Sequence, residues 1–532
     1  MFNFSLRDLL SRISPYLFPF LILLIVATLY MGSSPLYLTN PWDDSNAMLT
    51  MGRSIQQGLI PFVDIVEQRG PFIYFLYALG AGISTTSFLG VFVIEVINIT
   101  LIYYFGTRLT HALTKQTALV PWLALIAPLT LLGTSAFRFG GSPEEFAFTS
   151  VLYLLVLLVE NDGRFSNMSL PTYFWLGLNL GFIFWNKYSL VGTFAIFFLL
   201  CGFYLLFKGR WLHFIRVVTL SLLGFFVAAL PILIYYASVG HLDALFNIYF
   251  VQNLTSYHVQ HMGVIDQLSQ LFDLIFKQIY SYIFGWTITA LGWILAIRKG
   301  HTVTIEIILA FGSIVFVALQ KSCFFVYYPL VWLPFLALGF IRLAVYICDW
   351  LPSRQQTLIK YTLPVIITSL CILGPLLSNA SVKHLVPVNG GKSLSGHTYT
   401  AQPQFGALMK SEKEHPTLLT LNCIDVGFFL SADTVPVTPY YHRMNMSYKE
   451  LPIMYDTFKA GMSDGNIDYT VVRVKHALTD DKTSEARQNA AIMSVDSSLK
   501  STLAANYHVV DVAENQNDMY YVLFARNAHP QL

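Results

Sequence analysis

Carboxylates and basic residues in this chain gather in a few short stretches between long apolar runs. The first stretch holds Trp42-Asp43-Asp44, then Pro61-Phe62-Val63-Asp64, then Glu67-Gln68-Arg69-Gly70-Pro71. Later come Arg138 with Ser142-Pro143-Glu144-Glu145, then Trp185-Asn186-Lys187-Tyr188, then Gln320-Lys321 followed by Tyr327-Tyr328-Pro329. A carboxylate can take the proton of an attacking hydroxyl. Arginine and lysine can neutralise a phosphate, whether bound or leaving. Charges beside a bilayer are costly and need partners or water. Such a grouping suits a site that joins a polar acceptor to a lipid-linked phosphate.

The same residues also fit plainer roles. Asp43, Asp44, Glu144 and Glu145 stand at helix starts, where the helix dipole favours acids. Lys187 and Lys321 fit lysines whose stems lie along lipid while the ammonium reaches water. Trp42, Trp185, Tyr327 and Tyr328 fit an interfacial aromatic belt. Glu95 and Asn98 fall inside an apolar run, so they line a cavity or bond a neighbouring helix. His258 and His261 have metal-like spacing without a third ligand and read as part of an amphipathic loop. The five cysteines follow no metal or redox spacing and read as packing residues.

The elements that must position these groups follow from composition. Of 532 residues, 55% are hydrophobic and 12% charged, and the mean hydropathy is +0.56. A soluble domain carries about 25% charge, so lipid must solvate the excess apolar surface. In lipid the backbone must satisfy its own polar groups, which makes the spans helical. The net charge of +2 suggests no nucleic-acid partner.

Apolar runs near 16–35, 88–107, 118–136, 146–160, 172–185, 188–207, 214–238, 278–297, 304–319, 323–346 and 361–378 predict about eleven transmembrane helices. Pro71–Ile83 is too short to span by itself. If it lies at the outer interface and the N-terminus is cytoplasmic, Arg7, Arg12, Arg108, Lys115, Arg164, Lys208, Arg210, Arg216, Arg298, Lys299, Arg342, Arg354 and Lys360 all fall inside. The outer side of the membrane part then keeps Arg53, Arg69, Arg138, Lys187, Lys277 and Lys321, a clear positive-inside bias. The first outer loop, about 36–87, is expected to hold two helices, Ser45–Gln57 ending at Gly58 and Pro71–Ile83 opening on proline.

The apolar pattern stops near 379, which divides the chain into a membrane part, 1–378, and an extracytoplasmic part, 379–532. The latter reads as α/β. Thr417–Cys423, Tyr469–Val474, His508–Val512 and Met519–Ala525 are strand-like runs, the last two joined by the polar turn Glu514–Asp518. Tyr448–Gly461 and Ser484–Leu499 have helical periodicity.

The anchors Trp42-Asp43-Asp44, Pro-Phe-Val-Asp and Glu-Gln-Arg-Gly-Pro-Phe-Ile-Tyr, followed by Ser142-Pro143-Glu144, Trp185-Asn186-Lys187 and Lys321 with Tyr327-Tyr328-Pro329, occur in a familiar order. The chain resembles the polyprenyl-phosphate-sugar-dependent membrane glycosyltransferases of the GT-C fold, which include protein O-mannosyltransferases and the aminoarabinose transferase of lipid A. The resemblance covers roughly residues 16–346. It implies that Asp43 or Asp44 is the catalytic acid, with Asp43 favoured, and that Glu144 is the second outer-loop acid. It further implies that Arg69 and Lys187 hold the lipid phosphate, with Lys321 and Arg138 as further cations. The chain departs from the family in its Asp-Asp pair, where Asp-Glu is commoner, in having glutamate as the second acid, and in a short C-terminal part with no assigned motif.

The resulting expectation is a multi-pass glycosyltransferase of a bacterial plasma membrane, acting on the outer face with inversion and without a metal. Its donor would be a sugar on undecaprenyl phosphate. Its acceptor would be a hydroxyl of a teichoic acid or another wall or capsular polysaccharide, with a donor-lipid synthase and a flippase as upstream partners. The rivals are a flippase or transporter of a lipid-linked saccharide and a polymerase or ligase using pyrophosphate-linked donors. A transporter would place polar or broken helices near the midplane, whereas these charges stack at one face.

Overall fold

The structure is a computed structural model that describes residues 6–255, 263–297, 301–319, 325–385, 401–478, 483–514 and 519–528. Lys321, Cys323, His258 and His261 lie outside the described residues. Contacts divide the chain into two compact units. One comprises residues 1–31, 95–231 and 262–380, the other 32–94, 232–261 and 381–532.

The first unit is helical. Among the described residues, Leu89–Leu113, Trp211–Ser238, Leu333–Trp350 and Leu358–Ser378, which lie wholly or mostly in this unit, are each long and apolar enough to cross a membrane, and four shorter apolar helices, Ser14–Tyr30, Thr117–Leu132, Gly192–Phe207 and Thr302–Ala318, accompany them. The protein is thus a multi-pass membrane protein. The run at 278–297 is not one straight span. Val264–Ser281 and Ile283–Ala296 meet at an 80° bend. The two halves differ in character: Val264–Ser281 alternates apolar residues with Asp266, Gln267, Gln270, Asp273 and Lys277 at helical spacing, so only one of its faces suits an apolar neighbour. The run at 118–136 is likewise divided, into Val120–Leu123 and Ile126–Leu132.

The second unit combines the first loop with the C-terminal residues. Asp43–Gln56 is a helix that ends as its glycine demands. Gly58 takes a left-handed φ of 86°, its N–H bonds the Ile55 carbonyl, and Leu59 N–H bonds that of Ser54, the paired closure of a Schellman motif. The second loop helix, Pro71–Ile83, starts on proline as expected. The two helices touch backbone to backbone. A Cβ on Gly52 would lie 2.5 Å from the Tyr77 carbonyl carbon, and Ser45 and Tyr77 share a 2.9 Å hydroxyl bond beside that crossing.

The C-terminal residues form a four-stranded sheet: β1 (Leu418–Leu421), β2 (Tyr469–Lys475), β3 (Tyr507–Glu514) and β4 (Met519–Arg526), in the order β1-β2-β4-β3. β1 runs parallel to β2, and the other pairs are antiparallel. The single helix expected over Ser484–Leu499 is two, Ser484–Ser494 and Ser497–Asn506. Asp496 divides them by capping the second, its carboxylate accepting from Ser498 N–H at 2.9 Å, which favours a fresh helix start over continuation.

Candidate functional site

In the second unit, the first-loop acids and Arg69 form one ionic cluster. Asp43 and Asp44 open the Asp43–Gln56 helix, while Trp42 at the N-cap supplies no side-chain cap. Their carboxylates are engaged by arginines. Arg69 Nη2 lies 2.9 Å from Asp44, and its Nη1 lies 2.6 Å from Glu67. Tyr74 donates its hydroxyl to Glu67 and accepts the Arg69 N–H at 2.9 Å. This arginine is therefore held at both terminal nitrogens of its guanidinium and at its backbone N–H, in the forked geometry that suits carboxylate and phosphate oxygens. Asp43 meets a different arginine, Arg473 of β2, at 3.0 Å.

The rest of the cluster pins the loop helix to the C-terminal residues. Thr50 donates to Asp425 at 2.6 Å. Arg53 bonds Asp433 at 2.7 Å and the carbonyls of Phe429 and Thr434. Burial pushes the Asp425 carboxyl up, opposed by its bonds from Thr50 and Gly427 N–H. His442 is 1% exposed, and neither ring nitrogen has a hydrogen-bond partner among the described residues. Burial, then the nearby charge of Arg69, push its imidazole down to about 3 against the pull of Asp44. It is a neutral ring beside a charged pair.

In the first unit, Glu144 and Lys187 form a second pair. Pro143–Glu160 starts on Ser142, whose Oγ accepts Glu145 N–H at 3.0 Å. Ser142 thus does the capping in place of the acids. Glu144 is fully buried, and Lys187 Nζ lies 2.7 Å from its Oε1. The same ammonium stands 4.3 Å from the Tyr328 ring centre and 5.8 Å from that of Tyr327. Lys187 is therefore an ion-paired, aromatic-flanked cation, not a lysine stretched along lipid. Trp185 is buried, as is Trp42 in the second unit, so neither belongs to an exposed belt.

The loop before Glu144 is tightly set. Arg138, Gly140 and Gly141 all have positive φ. Glu145 accepts Gly141 N–H at 2.7 Å and the Asn98 amide at 2.9 Å, and Asn98 in turn accepts from Thr149 at 2.6 Å. Asn98 thus bonds a neighbouring helix. Arg138 stacks on Phe139, 5.5 Å from its ring centre.

Reading the sequence leaves out Arg473 and His442. The one signal for Arg473 is a charge at the middle of the apolar strand Tyr-Thr-Val-Val-Arg-Val-Lys. His442 carries no motif. Among the described residues no group of three or more His, Cys, Asp or Glu is placed to hold a metal ion.

Neither a protein-family model nor a curated protein sequence matches the chain. Its fold, however, is similar to that of solved structures of ArnT. Superposed on ArnT from Cupriavidus metallidurans bound to undecaprenyl phosphate, it gives a TM-score of 0.58 at 12% identity, covering 98% of this chain and 99% of that one. With the same protein in the apo state the TM-score is 0.54 at 11% identity, covering 96% and 98%.

Proposed function

We propose that this protein is a membrane glycosyltransferase that moves a hexose or pentose from a polyprenyl monophosphate, undecaprenyl phosphate, to a hydroxyl of a cell-surface polymer. The acceptor class we favour is a teichoic acid or another wall or capsular polysaccharide, on the outer face of a bacterial plasma membrane. The observation that carries this reading is the forked hold on Arg69 by Asp44 and Glu67 in a chain with the fold of ArnT, which has been captured with undecaprenyl phosphate.

In this reading the acceptor oxygen attacks the anomeric carbon as the bond from that carbon to the phosphate oxygen breaks. The acceptor's proton passes to a first-loop aspartate, Asp43 or Asp44, and the polyprenyl phosphate leaves with the bonding electrons. One displacement inverts the anomeric centre. Negative charge on the leaving phosphate grows in the transition state, so fixed cations there lower the barrier more than they tighten donor binding. Arg69 and Lys187 are assigned that work, with Arg138 and Lys321 as further cations, and Glu144 orients Lys187. Because side chains supply the cations, no metal is invoked. A donor-lipid synthase and a flippase would act upstream.

The test uses purified protein in lipid, a panel of radiolabelled undecaprenyl-phosphate sugars and crude wall polymer. Label should move to polymer with the wild type and stay on lipid with Arg69→Ala. Lipid-linked label that crosses the bilayer without transfer would replace this reading with a flippase.

A further inference from the structure

The two adjacent aspartates are chemically alike, but the fold gives them different surroundings. Asp44 is the more enclosed, its side chain 12% exposed, and it faces Arg69. Asp43 is 37% exposed and faces Arg473. A group that takes a proton from a second molecule must be reachable, and Asp43 is the more reachable of the two.

Arg473 is itself held in place. Its Nη2 donates to the Asn422 carbonyl at 3.3 Å. Asn422 sits in the left-handed region at φ 62° and anchors its amide on Ser494 Oγ at 2.9 Å. Tyr521, buried on β4, stands opposite Arg473 in the strand register. Burial works against the guanidinium charge, yet its neighbours raise its proton affinity above the ordinary value. Of these, Cys423 and Tyr521 are neutral, the thiol pushed up to about 12 and the phenol also pushed well up, both by burial, so Asp43 is the working anion, with Asp425 as the further acid whose charge bears on it.

We propose that Arg473 is a positioning residue for sugar transfer, which keeps Asp43 ionised and aimed and so makes Asp43, rather than Asp44, the group that takes the acceptor's proton. The inference rests on the glycosyltransferase reading above. The proton moves from the acceptor hydroxyl to the Asp43 carboxylate as the new glycosidic bond forms. Arg473 keeps its own proton throughout, and its charge then favours release of the proton from Asp43 to water. Asp44 has the separate task of fixing Arg69. The C-terminal sheet is on this account a part of the catalytic machinery and not only a surface for acceptor.

Full-length protein in lipid is assayed for transfer across pH with Arg473→Gln, Arg473→Lys, Asp43→Asn, Asp44→Asn and the doubles of Arg473→Gln with each aspartate variant, after thermal melts confirm folding. Arg473→Gln should lower kcat by about ten- to a hundredfold through lost aim, with donor KM nearly unchanged. It should move the acid limb of the pH profile upward, because a carboxylate loses its cation. It should add nothing to Asp43→Asn, should add fully to Asp44→Asn, and should be partly rescued by Arg473→Lys. Independent, multiplicative losses with Asp43→Asn, or an acid limb that stays in place, would overturn the proposal. Should Arg473→Gln fail to fold, Arg473→Lys decides through the cycle alone: its smaller loss should vanish on Asp43→Asn and persist in full on Asp44→Asn, and a loss that multiplies with Asp43→Asn would overturn the proposal. If the wild type moves no sugar, the glycosyltransferase reading itself falls, which is a different result from an additive cycle.

Discussion

Lys187 and Glu144 are joined at 2.7 Å with the glutamate fully buried and the lysine a quarter exposed. The pair is asymmetric. Glu144 cannot be left alone, since its second oxygen is buried without a hydrogen-bond partner among the described residues, whereas Lys187 reaches toward solvent with Tyr328 at its side. Any other anion that Lys187 meets, it meets while also holding Glu144.

Lys187→Met should destabilise the protein by about 3–5 kcal/mol, the usual result of stranding a buried charge. The double variant Lys187→Met with Glu144→Gln should recover most of that loss and none of the transfer activity. Thermal melts in detergent beside the transfer assay separate the two effects. Activity returning together with stability would mean that Lys187 has only a structural role.

Arg69→Lys keeps the charge and loses the fork. A single ammonium cannot serve Asp44 and Glu67 at once in the geometry of the guanidinium, so Arg69→Lys should retain the fold but lose about a hundredfold in kcat. Steady-state kinetics with varied donor check this. Full activity in the lysine variant would show that charge alone suffices there.

Gly140 has a left-handed φ of 86°, and a Cβ at that position would run into Glu95 Oε1 and the Phe137 ring. Gly140→Ala should therefore cost about 1–3 kcal/mol from backbone strain, with a further loss from overpacking. Transfer should fall with it, because the same loop leads directly into Glu144. A melting temperature equal to that of the wild type would show that the loop relaxes freely.

His442 sets a pH dependence of stability. Its ring is ordinary near 6.5 when unfolded and is pushed down to about 3 in the fold. The unfolded chain thus binds the proton more tightly, and stability from this group is present above pH 6.5 and lost as pH falls from 6.5 toward 3. His442→Leu should flatten the melting temperature across that window. Melts at half-unit steps measure it, and an unchanged slope would place the acid sensitivity elsewhere. Asp425 runs the opposite way. Its carboxyl is raised by burial, so its contribution is present at low pH and lost as pH rises.

Much of the architecture was legible because its signals are local. Lipid tolerates only internally satisfied backbone, so apolar runs announce helices wherever they fall. Gly58 and Pro71 mark a stop and a start because their backbone chemistry allows little else. All four strands of the C-terminal sheet announce themselves as β-branched or aromatic runs, with ends shifted by a residue or two. The 80° bend after Ser281 was harder to see. An amphipathic stretch and an apolar one adjoin there without proline or glycine between them, so summed hydropathy reads them as one run.

The site divides along the same line. Sequence alone determined which residue types were available: the Asp43-Asp44 pair, Arg69, Glu144 and Lys187, each beside a turn or helix end that makes a charge tolerable near lipid. Partnership it could not determine. Asp43 and Arg473 are 430 positions apart, and nothing local tells an arginine on a strand which carboxylate it will meet. That choice belongs to the fold of the second unit, where Thr50 on Asp425 and Arg53 on Asp433 dock the first loop against the C-terminal residues. Ion pairs form where the backbone brings charges within a few ångströms, and only tertiary packing fixes that distance.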